Sequence, residues 1–214
     1  MKNQSILLAL ALLACQYTSA QQQENRYKEI TNPKLLQINK LEPRSSFFSF
    51  TNAADAQKAG TDTKGSNFLL LNGTWKFHYT EQFNDRPKDN FSGPDFNADA
   101  WKDIKVPGNW EVQGFGYPIY VNTTYEFTSP GHAPFWDRPN PPLVPEAFNP
   151  TGTYRKEFDI PKEWLTEDII LSFDAVKGAT YFYLNGQFLG MSKDSKLPAR
   201  FDISTIAKAG KNVI

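Results

Sequence analysis

The run Ala179–Gly190, reading ATYFYLNGQFLG, constrains this chain more than any other segment. Two aromatic-rich β runs flank Asn185-Gly186, and a two-residue type I′ turn needs positive φ at both central positions, which Asn followed by Gly supplies. The segment predicts an antiparallel hairpin. Other segments follow the same rule. Gly152–Ile160 alternates Tyr154, Lys156, Phe158 and Ile160 against polar neighbours, and Ile169–Val176 reads as a further strand. Arg200–Ile203 is another, and Lys211–Ile214 begins one more. Upstream, LLLNGTWKFHYT carries a turn signal at Asn72-Gly73 and then alternating Trp75, Phe77 and Tyr79. Ala98–Lys102 reads as one helical turn leading into a short strand at Ile104–Val106.

Fifteen prolines and thirteen glycines are dispersed through the chain, and no long amphipathic helix separates the strands. The fold class this predicts is all-β, a jelly-roll-like antiparallel β-sandwich. It reads as incomplete at its C-terminal end, because an unpaired apolar strand beginning at Asn212-Val213-Ile214 would be an aggregation hazard.

Composition excludes several functions. Lys plus Arg and Asp plus Glu both number 23, so no basic face points to nucleic acid. His78, His132 and Cys15 are too few for a zinc site of the usual kind, and one cysteine forms no disulfide within a chain. No Gly-rich nucleotide motif is present.

The N-terminus predicts export. Lys2 precedes the apolar run Ile6–Ala14, which is too short to span a bilayer but suits a signal-peptide core. Thr18-Ser19-Ala20 favours cleavage before Gln21, giving a periplasmic or secreted protein. Leu12-Leu13-Ala14-Cys15 supports the competing reading of a lipobox, with a lipidated Cys15 at the outer membrane. The predicted organisation is a signal peptide over 1–20, an extended lead-in and loop over 21–66, and the sandwich over 67–214. Within the lead-in, 21–31 is polar and flexible in this reading, 32–50 is extended chain on a surface, and 51–67 is a loop.

The stretch Pro107–Phe127, PGNWEVQGFGYPIYVNTTYEF, is too rich in Gly and Pro for a helix and too aromatic for a solvated loop. Trp110, Phe115, Tyr117, Tyr120 and Tyr125 frame the amide of Asn122. Two readings stand side by side: a hydrophobic wedge pinning one strand, or an aromatic wall for an uncharged, hydroxylated ligand such as a sugar. Asn122 likewise reads as an Asx turn or as a ligand contact. Asp85, Asp89, Asp95 and Asp99 sit among Pro, Asn and Gly and read as turn formers. Glu111 and Glu126 are better placed for acid–base work, but nothing in the sequence desolvates either. No complete active site is legible. The N-x-[ST] triplets at Asn72, Asn90 and Asn122 read as chance.

Several blocks, in one order, resemble the N-terminal sugar-binding domain of glycoside hydrolase family 2 β-galactosidases of the lac-operon type. They are LNGTWKFHY (71–79), VPGNW (106–110), GYPIYVNTTYEF (116–127), NPTGTYRKEFDIP (149–161), FDAVKGATYFYLNGQFLGMSKDSKLPARFDIS (173–204) and AGKNV (209–213), with 32–50 similar to the family's lead-in. The resemblance implies a galactose-binding-domain-like fold. It also implies retaining hydrolysis of terminal β-D-galactosides through a covalent galactosyl-enzyme. Asn122, in P-I-Y-x-N, looks like the family's asparagine that contacts galactosyl hydroxyls, a role suited to a group that donates and accepts at once.

The acid/base glutamate, the nucleophilic glutamate and the magnesium ligands are implied to lie on a (β/α)₈ barrel beyond residue 214. A sodium-binding aspartate follows soon after Ile214 by the same likeness. Within residues 1–214 the resemblance thus implies no catalytic residue and no cofactor, although the whole enzyme would use Mg and Na. Asp194 takes a turn and packing role, and Lys193, where the lac-type enzyme has a polar amide, argues against a metal there. The implied partners are a β-galactoside, the barrel of the same chain and other copies in a homo-oligomer. Two alternatives remain: a stand-alone carbohydrate-binding module, or a family 2 enzyme of another specificity such as a mannosidase or glucuronidase.

Overall fold

The structure is a computed structural model that describes residues 26–45, 47–59, 67–87, 90–118, 142–145, 148–193 and 195–214. In chain order the elements are α1 (Arg26–Thr31), β1 (Gln37–Ile38), α2 (Ala53–Ala59), β2 (Gly73–Thr80), β3 (Lys102–Val106), β4 (Thr151–Arg155) and β5 (Glu157–Ile160). They continue with β6 (Ile170–Phe173), β7 (Thr180–Leu184), β8 (Gln187–Ser192), β9 (Ala199–Asp202) and β10 (Gly210–Val213). Among the described residues every strand pairing is antiparallel, in the orders β1-β8-β7, β3-β2-β4, β10-β5 and β6-β9. The domain is all-β, as its strand periodicity predicts.

The predicted hairpin is β7–β8. Asn185 and Gly186 take φ of 52° and 85°, the left-handed pair a type I′ turn demands. A further constraint is less local. The ladder pairs Phe182 with Gly190 but Tyr183 with Phe188, so Leu189 is the extra residue of a bulge. That bulge breaks the alternation, and Leu189 through Ser192 are all buried. Asn185 then ties the turn to β10. Its Nδ2 donates to Asn212 Oδ1 at 2.9 Å, and its Oδ1 accepts from the Val213 amide at 3.0 Å. Asn212 is fully buried and spends its own amide on Lys208 and Gly210, so no polar atom in this knot is left to face apolar neighbours.

Two apolar clusters fill the interior. The larger joins Ile160, Ile169, Leu171, Phe182, Leu184, Leu189, Ala199, Phe201 and Ile203; the smaller joins Trp75, Phe77 and Ile104. At about 1.5–3 kcal/mol for each large buried side chain, the first dominates stability. Leu71, Phe173 and Ile214 touch both clusters and make the cores contiguous.

Five expectations need correction. Gly152–Ile160 is not one strand of one sheet: β4 pairs with β2, β5 pairs with β10, and Lys156 exchanges both backbone hydrogen bonds with Ile214 at 2.8 and 2.9 Å. That exchange also overturns the unpaired final strand, since β10 is laddered to β5 throughout and Val213 is buried. Asn72-Gly73 is no hairpin turn; Gly73, at φ 117°, opens β2 opposite Val106.

Within 51–67, Ala53–Ala59 is helical because Asn52 caps it, accepting from the Asp55 amide at 2.9 Å while donating to the Asp55 carboxylate at 2.7 Å. Lastly, the supposedly flexible 21–31 contains α1. The Lys193 ammonium holds the end of that helix, donating to the carbonyls of Asn32 at 2.6 Å, Glu29 at 2.9 Å and Ile30 at 3.3 Å. A cation is the natural partner for the terminal carbonyls of a helix. Burial pulls the Lys193 pKa below its ordinary value, with the Glu29 charge opposing.

Candidate functional site

Strand β3 ends at Val106, the Val106–Pro107 bond is cis, and the chain turns across the face of β2. A single 3-10 turn, Glu111–Gln113, follows and is closed by Gly114 at φ 90°. Gln113 fastens this loop to the outer edge of β3: its Oε1 accepts from the Lys105 amide at 2.7 Å and its Nε2 donates to the Lys105 carbonyl at 3.0 Å. One side chain thus satisfies both backbone polar groups of Lys105.

The loop brings its aromatics onto β2 and β4. Phe77 lies at the centre, with ring centroids of Tyr154 at 4.6 Å, Phe115 at 4.7 Å and Trp110 at 6.0 Å. Trp110 also meets Tyr79 edge-on at 5.7 Å. Gly152 is required by this packing, because a Cβ there would sit 2.5 Å from Trp110 and 2.6 Å from Phe77. Trp110 and Phe115 are therefore wedge residues, which decides their half of the question in favour of scaffold. Tyr117 differs. It stacks parallel on Phe148 at 5.9 Å and is half-buried, as is Tyr79 beside it.

Burial raises the pKa of Tyr79, and the charges of Glu81, Tyr117 and Glu111 add to the effect. Tyr117 is raised by the same burial and by Glu81. Tyr154 is pushed up to about 12 from 10.0, by burial first and Glu111 second. These phenols therefore stay neutral donors at any physiological pH, the form suited to hydroxyl ligands. A folded-state value above the unfolded one means the native state holds its proton longer. Stability is thus whole below pH 10.0 and is expected to fall as pH rises toward about 12. Tyr154→Phe should flatten that part of the curve in thermal melts; an unchanged slope would show that Tyr154 does not cause it.

Of the residues singled out in the sequence, Glu111 borders this wall and is half-buried, Asp85 ends the 3-10 helix Phe83–Asp85, and Asp95 and Asp99 lie in turns, all three aspartates exposed. Asn122, Tyr120, Tyr125, Glu126, Asp89, Asp194 and Cys15 lie outside the described residues. Among the described residues no group of three or more His, Cys, Asp or Glu gathers to hold a metal. Sequence reasoning passed over Glu81, Phe148 and Gln113. Only Glu81 had a signal, since it continues the Trp75, Phe77, Tyr79 alternation. The arrangement can hold and orient a neutral ligand beside rings; it offers no nucleophile–base pair.

The family model for glycosyl hydrolases family 2, sugar binding domain, matches residues 68–214. A β-galactosidase of Priestia megaterium is 35% identical over 192 residues, 89% of this chain and 18% of the relative. One from Vibrio cholerae is 41% identical over 158 residues, 74% of this chain and 14% of the relative. Among solved structures, a β-glucuronidase of an uncultured Clostridium sp. aligns with 82% of this chain and 23% of its own, at 17% identity and a TM-score of 0.47. The chain belongs to glycosyl hydrolase family 2 and carries that family's sugar binding domain. It spans less than a fifth of the length of these curated relatives.

Proposed function

We propose that this chain is the N-terminal sugar-binding part of an exported β-galactosidase, and that it supplies a wall and a support for the substrate pocket. The observation that carries this reading is the 35% identity to a β-galactosidase over 192 residues, 89% of the chain. The wall's neutral phenols and rings suit a pyranose, whose faces are apolar and whose rim is hydroxylated. Asn122, four residues beyond Pro118 where the described wall stops, takes the role of galactosyl contact.

Hydrolysis proceeds with retention, through a glutamate nucleophile and a glutamate acid/base on a barrel outside residues 1–214. The described residues do not fit a magnesium site. No acidic cluster forms among them, and the carbonyls converging near Lys193 are taken by its ammonium. By the family likeness, magnesium and sodium are assigned to the rest of the protein, and the oligomer and any lipid anchor at Cys15 belong to the same whole-protein reading. Cleavage after Ala20 sends the protein out of the cytoplasm. Mass spectrometry of the exported protein is expected to find Gln21 at the N-terminus, and a diacylated Cys15 would replace that assignment.

The direct test is turnover by the full-length protein, followed by proton NMR. A β-galactoside should yield β-galactose first, which then mutarotates, while the 214-residue chain alone should yield nothing. An α-anomer as first product would overturn retention. Cleavage of β-glucuronides or β-mannosides with no β-galactoside turnover would move the protein to another specificity within the family.

A further inference from the structure

The chain contains two Asn-Gly pairs, Asn72-Gly73 and Asn185-Gly186, and the fold treats them in opposite ways. An asparagine before glycine is the pair most prone to cyclise, because no side chain hinders attack of the following backbone nitrogen on the asparagine Cγ. Asn185 is restrained against this. Its Nδ2 donates to Asn212 Oδ1 and the Ile206 carbonyl, its Oδ1 accepts from Val213, and Gly186 packs against the Gly93 backbone, where even a Cβ would come within 3.4 Å of Cα.

Asn72 has none of this. It is exposed, and its side chain makes no hydrogen bond among the described residues. Gly73 is the first residue of β2 and occupies the end rung opposite Val106, the rung that opens first when a ladder frays. At φ 117° Gly73 also has empty space on the side where a Cβ would point.

We propose that Asn72-Gly73 is a self-modification site, converting spontaneously to aspartate and isoaspartate in the folded protein, while Asn185-Gly186 is protected by the fold. The Gly73 nitrogen, having lost its proton to solvent base, bonds to Asn72 Cγ. The bond from Cγ to the side-chain nitrogen breaks, and ammonia leaves with the proton returned by solvent. Water then opens the succinimide at either carbonyl. No oxidant or further reactant is needed. The new carboxylate appears two residues from Thr74, whose hydroxyl accepts from Lys105 Nζ at 2.7 Å and whose carbonyl accepts from Lys156 Nζ at 3.1 Å. Two ammonium groups thus stand against the second residue of β2.

The experiment ages the full-length protein in mildly alkaline buffer, folded and in urea, and follows tryptic peptides 65–76 and 178–193 by mass spectrometry. In folded protein the first peptide should acquire aspartate and isoaspartate forms on the order of a hundredfold faster than the second, as expected when several side-chain hydrogen bonds must open first. In urea the two rates should converge. Asn72→Gln should abolish conversion of peptide 65–76, which also contains Asn67, and leave the other peptide unchanged. Equal rates in folded protein, no conversion of peptide 65–76 while urea samples convert, or conversion persisting in Asn72→Gln would each overturn the assignment.

Discussion

Gly190→Ala is expected to destabilise the domain by about 3 kcal/mol or more, lowering Tm by roughly 6–12 °C. A Cβ at this position would lie 2.2 Å from the Ile38 carbonyl oxygen and 2.6 Å from Phe201 Cε1. The first obstacle is backbone of β1, which cannot rotate away as a side chain tip can. The second belongs to a ring that is 1% exposed at the centre of the larger cluster. Relief requires either the loss of β1 from the β8 edge or displacement of that ring, and interiors packed at crystal density resist both. The variant Gly190→Ala with Phe201→Leu separates the two contributions. If the ring dominates, the pair should be less destabilised than the sum of the single changes. A melt of Gly190→Ala indistinguishable from the parent would refute the packing account altogether.

Asn122→Ala in the full-length protein is expected to reduce kcat/KM for a β-galactoside by several-fold to about a thousand-fold, equivalent to ~1–4 kcal/mol. The range is wide because the cost depends on how much of the hydrogen bond is realised only in the transition state. If the amide binds ground and transition states alike, KM should rise with kcat unchanged. If it tightens as the sugar distorts, kcat should fall. Asn122→Asp keeps the shape but loses the donors, so it should recover only part of the activity. Full activity of Asn122→Ala with an unaltered melt would remove this residue from the pocket.

What was legible in the sequence was whatever depends on neighbours along the chain. Asn185-Gly186 determines its own φ angles, so β7–β8 was readable from four residues, and the alternation of Trp75 and Phe77 marked the buried face of β2. The bulge at Leu189 was not readable, because it is set by what β8 must reach on its far edge. Nor was the change of partner at Lys156, where a single alternating run passes between two sheets without any local mark. The helix Ala53–Ala59 did have a signal, Asn52 followed three residues later by Asp55, but small polar residues masked it. Trp110 and Phe115 were correctly weighed as either wedge or platform, and only the position of Phe77 decides for wedge. Block resemblance located the family; the pocket contact at Asn122 rests on that resemblance alone.

The passage of Thr151–Ile160 from one sheet to the other ties the register of each sheet to that of its neighbour. Tyr154 faces the smaller cluster while Phe158 and Ile160 face the larger, all on the same parity, with Lys156 between them reaching over Trp75 at 5.8 Å. A slip of one residue against β2 would turn Tyr154 outward, and carried through Lys156 into β5 it would turn Phe158 and Ile160 outward as well. Two hydrophobic faces would be exposed for one error. The pairing of each sheet therefore constrains the register of the other.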